Sequence, residues 1–123
     1  MTAMPNERDI QSKIRLDFSE RFPDALLFRI NVGRGWTGTN VRKNSDGSIT
    51  IFNPRPFDTG VPTGFSDLFA VLPGGRAVFL EIKTPRGKPT PEQVNFLRMM
   101  SGLGCPAGVA RSMEDVLRII NGN

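Results

Sequence analysis

The sequence contains no histidine and a single cysteine, Cys105. These absences exclude an internal disulfide, Cys-based zinc fingers, histidine metal sites and mechanisms that need a histidine base. No apolar run approaches the ~20 residues that a membrane-spanning helix requires. The N-terminus lacks a secretory pattern, so we expect a cytoplasmic protein that does not contact membranes. Any catalyst in this chain must therefore work with carboxylates and lysine, either alone or with a hard metal ion bound through oxygen.

The length of 123 residues corresponds to one compact domain. Hydrophobic residues make up 38% and charged residues 23% of the chain, as in ordinary globular proteins. We therefore predict a single domain over residues 1–123, with residues 1–5 as a loose tail.

Hydrophobic periodicity and turn residues predict a mixed α/β order of elements. Helices are predicted where apolar residues recur every three to four positions after a capping residue, over residues 7–21, 91–103 and 113–121. Strands are predicted at residues 26–31, 67–72, 76–83 and 106–110, with a hairpin over residues 41–53. Glycine and proline predict a loop at residues 33–38 and an irregular connection at residues 53–66. This order favours a mixed β-sheet flanked by helices.

Basic residues concentrate in the middle of the chain. Residues 29–55 carry five basic residues and one acidic residue, a net charge of +4 that equals the net charge of the whole protein. The same stretch contains the only tryptophan, Trp36. This composition suits contact with a nucleic-acid backbone, and a solvated hairpin that keeps the protein soluble is the alternative.

Asp67, Glu81 and Lys83 form the most informative constellation. A hairpin turn centred on Gly74 would place Asp67 directly opposite Glu81, with Cβ atoms about 5 Å apart. Lys83 lies two residues after Glu81 on the same strand and therefore shares its face. Opposed carboxylates repel each other, and a divalent cation such as Mg²⁺ or Mn²⁺ between them removes the conflict.

A purely structural role for this constellation is the alternative, in which Lys83 pairs with one of the acids at a solvated strand end. The neighbouring apolar residues Val78, Leu80 and Ile82 favour a centrally packed strand instead. A glutamate and a lysine on the other face of such a strand are unusual unless they are functional.

The pattern Gly64-x-x-Asp67, then Glu81-x-Lys83, then Gln93 at the start of a helix resembles the PD-(D/E)xK nuclease superfamily. Within it, nearly the whole chain resembles a stand-alone VRR-NUC domain. The resemblance implies a restriction-endonuclease-like α/β fold that hydrolyses DNA phosphodiesters with Mg²⁺ or Mn²⁺. One departure is Ser66, where the superfamily name has proline.

The resemblance also implies roles for individual residues. Asp67 and Glu81 would bind the metal, with the backbone carbonyl of Ile82 as a third ligand. Lys83 would be the catalytic lysine. Glu7 and Gln93 would support the metal site or its water, although a helix-dipole preference explains Glu7 and a capping box explains Gln93 equally well.

Residues predicted to contact DNA are basic, polar or aromatic side chains of the central stretch and of the turn after Lys83: Arg29, Asn31, Arg34, Trp36, Arg42, Lys43, Arg86 and Lys88. Contact with solvent alone is the alternative for Arg29 and Asn31, and a role in holding the loop is the alternative for Arg34 and Trp36.

Bare domains of this family resemble homodimeric nucleases of branched DNA, so the resemblance implies a structure-selective endonuclease for substrates such as Holliday junctions. A dimer with two active sites would match the two-fold symmetry of a four-way junction. A non-catalytic nucleic-acid-binding module on the same fold is the alternative, and an enzyme for RNA or single strands is a third hypothesis.

Overall fold

The computed structural model describes residues 4–122. Within that range the elements are, in chain order, α1 (Glu7–Arg21), β1 (Leu26–Arg29), β2 (Arg34–Thr37), β3 (Asn40–Lys43), β4 (Ile49–Phe52), β5 (Arg55–Asp58), β6 (Leu68–Leu72), β7 (Arg76–Ile82), α2 (Pro91–Gly102), β8 (Ala107–Ala110) and α3 (Met113–Asn121).

The chain divides into two compact units. The first comprises the chain up to Ile30 and from Thr63 onward, and the second is Asn31–Pro62. Of the predicted loose tail, residues 1–3 lie outside the described residues and residues 4–6 have no regular secondary structure.

The first unit contains a four-stranded sheet in the order β1-β6-β7-β8. The β1–β6 and β6–β7 pairs are antiparallel, and the β7–β8 pair is parallel. A mixed sheet flanked by helices is therefore confirmed. The predicted strand at residues 26–31 is shorter than expected and ends at Arg29.

Helices cover both faces of this sheet. Ile10, Ile14 and Phe18 of α1 and Val116 and Ile120 of α3 pack on one face. On the other face, α2 contributes its own apolar residues, Phe96 and Leu97. The sequence pattern predicted Val94, Leu97 and Met100 or Met99 as inward residues. Leu97 is buried and Met100 packs against this cluster, as predicted. Val94 is only half-buried, Met99 is exposed, and the buried Phe96 was not predicted.

The hairpin of β6 and β7 positions the residues singled out above. Phe69 pairs with Phe79 and Leu72 with Arg76, which is the register that a turn centred on Gly74 predicts. Both faces of β7 are covered, because Leu80 packs in the α1–α3 core while Phe79 packs against α2. A central strand is confirmed, and its far end carries Glu81.

The second unit consists of two separate two-stranded ribbons, β2–β5 and β3–β4. The β3–β4 hairpin and its turn at residues 44–47 agree with the prediction. The predicted loop at residues 33–38 and the irregular connection at residues 53–66 are corrected, because they contain β2 and β5, which pair with each other. Pro56 lies within β5 opposite Trp36, and proline weakens the sequence signal of a strand.

Among residues 4–122, no helix is both long enough and apolar enough to cross a membrane.

Candidate metal centre

Three carboxylates from three separate elements converge at one end of the sheet. Glu7 opens α1, Asp67 immediately precedes β6, and Glu81 lies on β7. One carboxylate oxygen from each residue lies within 4.8 Å of the others. The sequence predicted the Asp67–Glu81 pair from the hairpin register, whereas the approach of Glu7 depends on how α1 packs.

Backbone hydrogen bonds fix Asp67 on both sides. The Ile30 N–H donates to the Asp67 carbonyl at 2.8 Å, so the main chain continues the β1–β6 pairing. The Ile82 N–H donates to Asp67 Oδ2 at 2.9 Å, and the Asp67 N–H donates to Glu81 Oε2 at 3.2 Å. Each carboxylate therefore accepts a backbone hydrogen bond from the opposite strand of the hairpin, one position beyond the last pair of the ladder, Leu68 and Leu80.

Glu81 is the buried acid of the site. Its side chain is 1% exposed, accepts hydrogen bonds from the Asp67 N–H and the Gln93 side chain, and forms an ion pair with Lys83. Burial and, next, the negative charge of Asp67 raise the pKa of Glu81 to about 7, although Lys83 acts in the opposite direction.

Lys83 and Gln93 bind the same oxygen of Glu81. Lys83 Nζ lies 3.3 Å from Glu81 Oε1, and Gln93 Nε2 donates to that atom at 2.8 Å. Gln93 also completes the capping box, since its Oε1 accepts from the Thr90 N–H while Thr90 Oγ1 accepts from the Gln93 N–H. The two interpretations of Gln93 are thus compatible, because one side chain caps α2 and contacts the acid.

Gly64 brings α2 close to the chain segment that leads into Asp67. Its φ is +87°, and a Cβ at this position would lie 2.3 Å from the Glu92 carbonyl oxygen and 2.9 Å from the Gln93 nitrogen. Only glycine permits this approach. Ser66, two residues later, is fully buried and donates its hydroxyl to the Leu68 carbonyl at 2.9 Å. The serine that stands where the superfamily name has proline therefore has its hydroxyl group hydrogen-bonded next to Asp67.

Arg111 supports the turn that follows Lys83, a role that was not predicted from the sequence. Its Nε donates to the Thr84 carbonyl at 3.1 Å, and its terminal nitrogen donates to the Gly87 carbonyl at 2.8 Å. Arg111 directly follows β8, whose parallel pairing with β7 brings it next to Lys83. Nothing in the sequence shows that β8 is the parallel neighbour of β7.

The donor set is consistent with a divalent cation. When all three carboxylates are ionised, they and the Lys83 ammonium leave an excess of two negative charges, which one divalent cation would balance. The donors are hard oxygen atoms, which Mg²⁺ and Mn²⁺ prefer. Lys83 pairs with Glu81, as the structural alternative expected, but a single lysine does not offset three acids. The carbonyl of Ile82 stays a predicted ligand.

The five predicted catalytic residues therefore lie together in the first unit. The predicted DNA-contacting residues are all exposed and are distributed over the chain: Arg29 ends β1, Asn31 precedes β2, Arg34 and Trp36 lie on β2, Arg42 and Lys43 lie on β3, and Arg86 and Lys88 lie between β7 and α2. Arg86 and Lys88 belong to the same unit as the carboxylates, whereas Asn31 and the residues of β2 and β3 belong to the second unit.

Comparison with solved structures decides the fold. A structure described as "VRR_NUC domain" matches this chain with a TM-score of 0.55 over 95% of this chain and 97% of the other, at 19% sequence identity. The chain has the VRR-NUC fold. No protein-family model and no curated protein matches the sequence.

Proposed function

We propose that this protein is a Mg²⁺- or Mn²⁺-dependent endonuclease that hydrolyses phosphodiester bonds in DNA. The observation that carries the proposal is the convergence of Glu7, Asp67 and Glu81 within 4.8 Å, beside Lys83 and on a VRR-NUC fold. A fold of this type that only bound nucleic acid would gain nothing from clustered carboxylates near phosphate, because the two repel each other.

The residues of the site divide into those that would bind the cation and those that hold the carboxylates in place. Glu7, Asp67 and Glu81 would hold the cation, with the Ile82 carbonyl as a further ligand. When bound, the cation supplies Lewis-acid stabilisation of phosphate charge and lowers the pKa of the attacking water. Gln93 and the backbone N–H groups of Asp67 and Ile82 keep the two hairpin carboxylates in place.

Lys83 is the residue that meets the substrate. Its ammonium group would orient the water for in-line attack and stabilise the negative charge that develops on the phosphate oxygens. The water oxygen bonds to phosphorus and releases a proton to the solvent, and the bond from phosphorus to the leaving oxygen breaks. The leaving oxygen takes up a proton from the solvent, so the products are a phosphomonoester end and a hydroxyl end. In the free protein Lys83 is held by Glu81, so the ammonium is already positioned before DNA arrives.

The substrate that we propose is branched DNA such as a Holliday junction, cut in the cytoplasm by a homodimer during DNA repair. The resemblance noted in the sequence supports this choice, and so does the pairing of a two-fold symmetric dimer with a four-way junction. The predicted DNA-contacting arginines and lysines would bind the phosphate backbone.

The test is cleavage of an end-labelled four-way junction, a flap and a linear duplex, each with Mg²⁺, Mn²⁺ or EDTA. We expect metal-dependent cutting, fastest on the junction, that both Glu81→Ala and Lys83→Ala abolish. Lys13→Ala is the control for removal of a lysine, because Lys13 is an exposed residue of α1 outside the site.

Salt-sensitive binding without cleavage of any substrate would contradict the nuclease and support a non-catalytic DNA-binding module. Unfolding of the Glu81→Ala variant would show that Glu81 is needed for the fold. Glu81→Gln, which keeps the shape of the side chain, would then replace it in the assay.

A further inference from the structure

The second compact unit, Asn31–Pro62, presents an unusual surface for its size. None of its residues is buried, and six of its large apolar side chains are exposed: Val32, Trp36, Val41, Ile49, Phe52 and Phe57. Two-stranded ribbons bury little apolar surface by themselves. Since these side chains do not form a core, their concentration in one small unit indicates a binding surface.

The charge of this unit favours a phosphate-containing partner. It carries four basic and two acidic residues, and all four basic side chains are exposed. Asp46 accepts hydrogen bonds from Ser48 within its own turn. Arg34 lies 3.9 Å from Asp58, and both side chains are more than half exposed, at 88% and 63%. Such a pair is weak, so the Arg34 guanidinium remains available to a ligand.

The β2–β5 ribbon places its aromatic side chains on opposite faces. Phe57 lies directly on Gly35, where an added Cβ would be 2.7 Å from two carbon atoms of the Phe57 ring. Trp36 pairs with Pro56 and shares its face with Arg34, because side chains alternate along a strand. Trp36 is 62% exposed. One face of the ribbon therefore offers an accessible indole ring beside an arginine.

We propose that this ribbon face binds unpaired DNA nucleotides, with a base stacked on Trp36 and Arg34 on a neighbouring phosphate. Bases inside a duplex are covered by stacking on both sides, so a tryptophan ring reaches a base only where pairing is interrupted. Residues 31–62 contain no helix that enters a major groove. The proposal shares with the proposed function only the assumption that the ligand is DNA, and it does not require the metal centre.

The composition of the chain makes this site directly observable. Trp36 is the only tryptophan and the chain has no tyrosine, so intrinsic fluorescence reports on this one position. The full chain is titrated in EDTA with an oligothymidine of about twelve nucleotides. We expect saturable quenching, and an affinity that falls with salt by a slope of about −0.7 for each phosphate contact.

Variants followed by anisotropy of a labelled oligonucleotide separate stacking from charge. Trp36→Ala should weaken binding about five- to a hundredfold, while Trp36→Phe should keep much of the affinity. Arg34→Gln should weaken binding and reduce the magnitude of the salt slope. The matched control is Leu103→Ala, since Leu103 is 74% exposed and belongs to the first unit. Its affinity should equal that of the wild type.

Three results would overturn the proposal. The first is tryptophan fluorescence that does not change on titration with the oligonucleotide, together with wild-type affinity of Trp36→Ala. The second is quenching by a blunt duplex equal to that by the single strand, and the third is a dimer that Trp36→Ala dissociates without a loss of DNA affinity. The last result would assign the face to a second copy of the chain. If Trp36→Ala does not fold, the affinities of Trp36→Phe and Arg34→Gln test the proposal instead. Because the binding experiment is done in EDTA, it does not depend on metal-dependent cleavage. Absence of nuclease activity would therefore leave this binding result valid, and absence of binding at Trp36 would leave the nuclease proposal untouched.

Discussion

At the scale of single residues, Glu81 is the side chain on which a proton and the proposed cation would both act. Its carboxylate is buried against Asp67 and held by Lys83 and Gln93. A proton relieves the repulsion between the two acids, and a divalent cation would relieve it in the same place. Both occupants act on one carboxylate, so we expect them to compete.

Without divalent cations, the stability of the protein should fall as the pH rises from about 4.5 to about 7. Burial and Asp67 raise the pKa of Glu81 from 4.5 in its unperturbed state to about 7 in the folded state. The folded protein therefore holds more protons than the unfolded chain in this window, and the free energy of unfolding decreases by at most about 1.4 kcal/mol per pH unit. Urea denaturation in EDTA at several pH values measures it.

Glu81→Gln is the control for this pH dependence, because glutamine does not titrate. The difference in unfolding free energy between wild type and variant should change steadily across the window and level off at either end. A constant difference from pH 4.5 to pH 7 would show that Glu81 titrates as an ordinary surface acid and would contradict the account.

At the scale of elements, the start of α2 and the turn after β7 hold the site. The Thr90 capping box fixes Gln93, and Gln93 connects the helix to Glu81. Arg111, just beyond β8, binds the turn that follows Lys83. The positions of the reactive side chains therefore depend on groups that take no part in the chemistry.

Gly64→Ala should destabilise the protein more than Gly74→Ala does. Both glycines have a φ of +87°, but a Cβ at Gly64 meets the backbone of Glu92 and Gln93, whereas a Cβ at Gly74 meets nothing within 4 Å. Gly74→Ala should cost about 1–3 kcal/mol for backbone strain alone. Gly64→Ala should cost more and should also displace Gln93 from Glu81. Equal unfolding free energies in urea for the two variants would contradict this account of Gly64.

Arg111→Lys should loosen the turn after Lys83. A lysine ammonium does not reproduce the planar fork that binds the carbonyls of Thr84 and Gly87 together. The Gly87 amide, which donates to the Thr84 carbonyl, should then exchange with solvent about tenfold faster or more. Arg76→Lys is the control, because Arg76 donates to the single carbonyl of Ile120 in α3. If the Gly87 amide exchanges at the same rate in Arg111→Lys as in the wild type, Arg111 does not position this turn.

Local signals predicted most elements of the first unit, because each has its own cap or turn. Asn6, Thr90 and Ser112 accept hydrogen bonds at the starts of the three helices, and Gly74 sets the hairpin register that opposes Asp67 and Glu81. The β2–β5 ribbon was missed because it pairs segments about 20 residues apart that contain glycine and proline. Arg111 was missed for a similar reason, since the parallel neighbour of a strand is a tertiary property.

At the scale of the whole molecule, the chain has the VRR-NUC fold and divides into an α/β unit and a small basic β unit. The first unit carries all three clustered carboxylates, and the second carries the exposed Trp36. Catalysis and the binding of unpaired nucleotides are thus proposed for different parts of the sequence. Substitutions of the clustered carboxylates should therefore leave oligonucleotide binding in EDTA unchanged, and Trp36→Ala should leave Mn²⁺ binding unchanged.

The central claim is that Glu7, Asp67 and Glu81 form one site for a divalent cation, and direct Mn²⁺ binding tests it. Electron paramagnetic resonance of free Mn²⁺, titrated with the protein without DNA, counts bound ions. We expect saturable binding that Asp67→Asn and Glu81→Gln abolish and that Glu7→Gln weakens at least about tenfold. Glu20→Gln, an exposed acid on the same helix as Glu7, should bind Mn²⁺ like the wild type. Absence of saturable binding, or equal binding by all four variants, would contradict the metal centre.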